Sequence, residues 1–463
     1  MSHARVKALK GAGKTTSRKA IKSGRASGNI TPQSSPLPSS HTSPIHSAAH
    51  SRAASDASDN EFDDEPVQFE DTMYGDGLGG TALAIHFMGP STVIDVKALI
   101  DTMRDKKHNN SEVREKILGG YNKVLRTRFE AETRERWLTS SALELAQFFL
   151  RGADRGATAR ERLLSLQAYY LTVGTTGDLE IFETSERALK QILIDDDNDE
   201  IRVLAIYVLC LTVLYAGGLE EAALEVMQYL VDIVQTDGDS VELHDNEAVV
   251  AAAIVGWTFV ASHVRDFSAS ADAAMNAFVE QLDSSVVDVQ CNAAQAIALI
   301  FESARNYEAE MGEPFQLQCD PQRLAGRMRE LIKASSSKSV PRKQRRKMRE
   351  SLASVATSLE RGVGPFYSTA LLFPDHIADG RATISYRNEE GEPEYGYRCH
   401  LRIGIYSTLV STWSLLSRAR VMKILFREAL QRHLFINPVV MECLDDAKWT
   451  VVGGVRRPCC HCH

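Results

Sequence analysis

Several things are scarce in this chain, and each scarcity removes a class of protein. A membrane-crossing helix needs about 20 mostly apolar residues, and no uninterrupted run of that kind is present. The best candidate, Ile201–Ala216, is too short and starts beside Asp199, Glu200 and Arg202. A secretory leader is also missing, because Met1–Ser55 has no apolar core. That segment has the acid-free, Ser- and Arg-containing composition of a mitochondrial transit peptide. It lacks the amphipathic apolar face such a peptide needs, so a disordered basic tail is the better reading. Cysteine is sparse as well: eight in 463 residues, too scattered for a disulfide framework. Cys210, Cys291, Cys319, Cys399 and Cys443 therefore read as reduced thiols. This places the protein in the cytosol, with the nucleus as a second compartment.

Catalytic machinery is missing too. No nucleophile with its base, no paired carboxylates in one motif and no complete metal set can be assembled. Gly11–Thr16 resembles a phosphate-binding loop, but Ala8 stands where the first glycine belongs, and no strand precedes it. The acidic turn Asp195–Asp199 lacks the glycine and the glutamate of a calcium loop. The end Arg456–His463 crowds three cysteines and two histidines into adjacent positions that cannot converge tetrahedrally on zinc. We expect no enzyme, no cofactor, no resident metal and no small-molecule substrate.

What is present begins with charge. Residues 1–55 carry Lys and Arg without Asp or Glu, and residues 56–71 carry the reverse. Low apolar content over residues 1–88 predicts a disordered tail with an acidic patch. Thr31, Ser35 and Ser43, each followed by proline, and Ser58 before acidic residues are candidate phosphorylation sites.

From Thr92 apolar residues fall at helical spacing. Val286, Val289, Ala293, Ala296, Ile297 and Ile300 share one face, and related faces run through Ala168, Ala205 and Ala252. These units recur at intervals of about 40 residues, the range of two-helix HEAT and armadillo repeats. The spacing predicts an all-α chain: a HEAT/armadillo-like helical-repeat solenoid over residues 89–334, with a C-terminal helical extension over 335–445 and a disordered end over 446–463. Within the extension, residues 375–397 read as a loop insertion or short hairpin. Helical patterns resume over Ile405–Ala419 and Val421–Leu434.

Two stretches carry the candidate partner contacts. Arg342, Lys343, Arg345, Arg346, Lys347 and Arg349 form a basic run opening a helix. Arg418, Arg420, Lys423, Arg427 and Arg432 follow in the C-terminal block. Such density suits phosphate backbones or an importin groove, and a solvated helix end is the plain alternative.

The order of these features resembles the interferon-related developmental regulator family, in a divergent, fungal-type form. The resemblance is carried by the basic run Ser339–Val355 and by Trp413, Leu416, Arg420 and Leu425 leading to His433-Leu-Phe-Ile-Asn437, and it covers roughly residues 90–445. The loop 375–397 is foreign to the family, as is the segment after Leu444, where members continue into a further helix and a basic tail. The resemblance implies a non-enzymatic scaffold that binds ribosomes in a translationally inactive 80S state, or ribosomal RNA, and modulates translation. The alternative it implies is a nuclear transcriptional co-regulator scaffold binding a deacetylase-type complex. His433 and Asn437 join the partner-binding candidates on this ground.

Overall fold

About half of the helices described begin where the sequence offers an oxygen to the first unpaired N–H groups. Thr158 caps the helix Ala159–Thr176, Asn198 caps Asp199–Tyr215, Asn246 caps Glu247–Ala261, and Asp320 with Pro321 at the first position opens Pro321–Ala334. The acidic turn before Asp199 gains a second role: Asp196 is buried and receives Arg162 at 2.6 Å. This computed structural model describes residues 102, 110–127, 139–177, 180–335, 341–368, 396–397 and 399–452. The expectations for residues 1–88, for the start of the helical spacing at Thr92, for nearly all of the insertion 375–397 and for Arg456–His463 fall outside them.

The helices are α1 (Ser111–Thr127), α2 (Thr139–Arg155), α3 (Ala159–Thr176), α4 (Phe182–Asp195), α5 (Asp199–Tyr215), α6 (Glu220–Gln235), α7 (Glu247–Ala261), α8 (Ser268–Gln281), α9 (Val287–Met311), α10 (Pro321–Ala334) and α11 (Arg342–Arg361). They pack as consecutive pairs: α2 with α3, α4 with α5, α6 with α7, α8 with α9 and α10 with α11. The second helices stack side by side in the order α3, α5, α7, α9, α11, which makes the array a helical-repeat solenoid. The basic helix α11 is thus the last member of this inner layer.

Position in the layer explains composition. Helix α7 is apolar on nearly every side, with Val249 through Ala261 buried except for Ala251, as expected of a helix covered on both faces. At Gly256 an added Cβ would stand 2.9 Å from Cys210 Sγ, so glycine lets α7 approach α5 closely.

What covers the inner layer from the other side is the chain's own C-terminal block. It contains α12 (Trp413–Phe426), the single turn α13 (Leu430–His433) and α14 (Pro438–Cys443). Helix α12 packs on α7 and α9, α13 on α1, and α14 on α3. The block therefore runs back along the stack like a strap, from the last pair to the first.

Two expectations need correction. Residues 446–452, expected in a disordered end, are part of the fold: Thr450 and Val451 pair in a sheet and Asp446 holds Arg418. A helical start at Ile405 does not hold: β3 (His400–Ile403) and β4 (Tyr406–Leu409) form an antiparallel hairpin, joined to β5 (Thr450–Val451). Gly404, at φ +59°, makes the turn, and alternation buries Leu401, Ile403 and Thr408 on one face. The helix starts at Trp413, capped by Thr412. A second small ladder pairs β1 (Tyr367–Ser368) with β2 (Gly396–Tyr397).

Candidate nucleic-acid interface

The two basic stretches are placed in opposite surroundings. In α11 the apolar residues Met348, Leu352, Val355, Ala356 and Leu359 bury the distal part, and the first two turns project with their cations outward. Arg342, Lys343, Arg346 and Arg349 are exposed, and Arg345 and Lys347 are half-buried. Lys347 reaches Asp288 of α9, and Arg346 pairs with Glu350 at 2.7 Å. Exposed pairs of this sort are worth about 0–1 kcal/mol, so they exchange readily for other anions. Among the described residues, Arg342 and Lys343 have no carboxylate within ion-pair distance.

The helix is poorly designed as an isolated helix. Its N-cap is Pro341, which provides no side-chain cap, and no acidic residue sits in its first turn. Cations crowd the positive end of the helix dipole, and Arg342–Arg346, Lys343–Lys347 and Arg345–Arg349 are like-charged i,i+4 pairs. Packing of the distal part holds it in place against these local costs.

In the strap the polar side chains turn inward. Glu302 of α9 accepts the backbone N–H groups of Trp413 (2.8 Å) and Ser414 (2.9 Å) and the Ser414 hydroxyl, capping α12 across the interface. Burial pushes the Glu302 carboxyl upward, and these donors oppose the shift. Trp413 Nε1 donates to Ser358 Oγ of α11 at 3.0 Å, and Ser417 donates to Thr258 of α7 at 2.8 Å. Tyr170 of α3 donates to the Leu425 carbonyl at 2.6 Å.

The strap arginines act as struts. Arg418 is buried and held by Asp445 and Asp446. Arg420 donates to Asn292 at 3.0 Å, and Lys423 is half-buried on the same helix. Arg427 is exposed at the end of α12, at φ +49°, and its charge acts on Glu200. Arg432 is exposed, but its guanidinium reaches the Thr127 carbonyl.

His433 and Asn437 have no solvent-exposed surface, 0% in each case, so their side chains present no atom to an outside partner. His433 Nε2–H donates to the Leu125 carbonyl at 3.0 Å, and its Nδ1 accepts from Asn437. Asn437 donates to the Gly174 carbonyl at 2.8 Å and accepts from Val439 N–H at 3.0 Å. The pair therefore supplies donors to carbonyls left unpaired near the C-terminal ends of α1 and α3 while capping α14. Burial, with Arg126 nearby, pushes the His433 imidazole down to about 4, and the Leu125 hydrogen bond opposes this.

One part of the basic surface went unread in the sequence. Arg323, Arg327, Arg329 and Lys333 of α10 are exposed beside α11. Residues 321–361 hold twelve Lys and Arg against three Glu. The α10 cations are interleaved with Leu324, Met328 and Leu331, so they look like an ordinary amphipathic helix until α11 is set against them. Arg327 pairs with Asp283 and Arg329 with Glu360.

This geometry defines a helical-repeat scaffold with a basic terminal pair and a self-covered inner layer. A family model for the interferon-related developmental regulator (IFRD) matches residues 92–360, more than half of the chain, and the protein belongs to that family. An uncharacterized protein of the fission yeast Schizosaccharomyces pombe is 28% identical over 194 residues, which is 39% of this chain and 43% of that relative. The chain thus aligns with less than half of the relative's length. The family and the repeat fold are of a typically non-enzymatic kind and point to a regulatory scaffold.

Proposed function

We propose that this protein is a non-enzymatic scaffold that binds ribosomes in a translationally inactive 80S state, or ribosomal RNA, and modulates translation. The observation that carries the reading is the outward crowding of cations on α10 and α11, which costs the helix locally and repays only against an anionic surface. The array and its strap hold that pair rigidly, as a phosphate-contacting surface requires. Co-sedimentation with 80S particles is expected in sucrose gradients and should fall steeply with salt. Protein found only at the top of a low-salt gradient, from starved and from growing cells alike, would sink the proposal.

A second reading, a nuclear co-regulator scaffold, rests on the exposure of the same run, which suits an importin groove. Replacing Arg345, Arg346 and Lys347 by alanine should then abolish nuclear accumulation. A protein that is cytosolic with or without the change would remove that reading.

A further inference from the structure

We infer that the terminal pair α10/α11 takes duplex RNA, not single strands, and holds it by the phosphate backbone without regard to base sequence. This rests on the RNA-binding reading above and names its substrate class.

The first support is what the surface lacks. Between Pro321 and Arg361 there is no Phe, Tyr, Trp or His. Single-stranded RNA is gripped by stacking its splayed bases on aromatic rings, and a pair of helices without any offers no platform. The polar groups it does present are mainly guanidinium and ammonium heads, which fit phosphate oxygens and carry no base code.

The second support is rigidity. Leu324, Ala325 and Met328 of α10 and Met348, Leu352 and Val355 of α11 are buried in one continuous core. The cations thus stand on two packed helices that hold their positions before binding, a match for a preformed duplex, whereas a flexible strand would have to order itself.

The third support is the boundary. Between Arg202 and Arg305 the sum of basic residues is one, Arg265, against fifteen Asp and Glu. Arg265 is paired with Glu310. Exposed Glu221 and Glu225 of α6 and Asp239, Glu242 and Glu247 beyond it give the middle of the array the opposite sign. RNA is repelled there, so it cannot track along the solenoid as a long single strand would. The contact is confined to the terminal pair, a compact footprint suited to a short helical segment.

The test uses the full chain and fluorescence anisotropy with three probes. Two are RNA duplexes of about 16 base pairs with unrelated sequences, and the third is a uridine oligomer of the same length. The two duplexes should bind within about twofold of each other and the oligomer about tenfold more weakly. Arg323→Ala with Lys333→Ala on α10 should weaken duplex binding about as much as Arg342→Ala with Lys343→Ala on α11. Each double change should lower the salt slope by about 2. All four positions are exposed, and circular dichroism confirms that the variants fold. Equal or tighter binding of the uridine oligomer overturns the inference, as does preference for one duplex sequence or indifference to the α10 changes. If the protein still co-sediments with ribosomes in those cases, the parent reading stands and only the duplex assignment fails. If no RNA and no ribosome binds, both fail.

Discussion

The terminal helix pair and the C-terminal strap are both rich in arginine, and the fold uses that charge in opposite ways. On α10 and α11 the guanidinium groups stand outward, several of them in exposed ion pairs. In the strap Arg418 and Arg420 turn inward to aspartate and asparagine, and Arg432 reaches a backbone carbonyl. The difference comes from what surrounds each stretch. Cations of α11 precede its apolar part, so they overhang the core, whereas those of α12 are interspersed with Leu415, Leu416, Val421 and Leu425, so the core folds around them. Charge density along a sequence therefore does not distinguish a binding surface from a strut.

Among single substitutions, breaking the strap should give the largest loss of stability. Asn437→Ala strands the Gly174 carbonyl and the Val439 N–H at a fully buried position, which should cost about 3 kcal/mol. Denaturant unfolding measures this directly, and an unchanged midpoint would mean that the clasp bears no load. RNA affinity per folded molecule should stay the same.

Acid should cost a comparable amount, through two buried histidines acting together. His433 and His263 are both pushed down to about 4, first of all by burial. An unfolded histidine titrates near 6.5, so below that pH the unfolded chain takes up protons that the fold refuses. Stability is then fully present above about 6.5 and falls toward pH 4, at up to roughly 1.4 kcal/mol per pH unit for each histidine. Unfolding at pH 7 and pH 5 should show the loss, and His433→Gln should remove about half of its histidine-dependent part. A variant with the full pH dependence would exonerate His433.

The smallest change in stability is expected where the proposed function lies. Replacing Arg342, Lys343, Arg345 and Arg346 by alanine relieves like-charge repulsion, so the unfolding free energy should hold or rise by a few tenths of a kcal/mol. Ribosome co-sedimentation should nevertheless be lost. A large drop in stability would show that these cations are struts like those of the strap, and the contrast would collapse.

Much of the array was legible because a period of 3.6 leaves a regular trace. The pairs from α2 to α9 fall where apolar spacing puts them, and Asn198 and Asn246 cap their helices as short polar residues before apolar runs do. The hairpin before Trp413 was not legible, since Ile405 to Leu409 is too short to separate period 2 from period 3.6, and the turn depends on Gly404. His433 and Asn437 stood out as a motif, but a polar pair in an apolar block gives no sign of which way it faces. The α10 cations left no run to notice. Their significance appears only when a helix distant by a linker is packed alongside.

The sequence by itself determined the helices, their pairing and the uneven distribution of charge, because these depend on residues a few positions apart. Tertiary structure alone decided that the strap returns to α1 and α3, more than 250 residues away for Tyr170 and Leu425. It also decided that the strap closes the inner layer and leaves the terminal pair facing outward. Such contacts follow from which surfaces can be covered together, and local spacing holds no record of that.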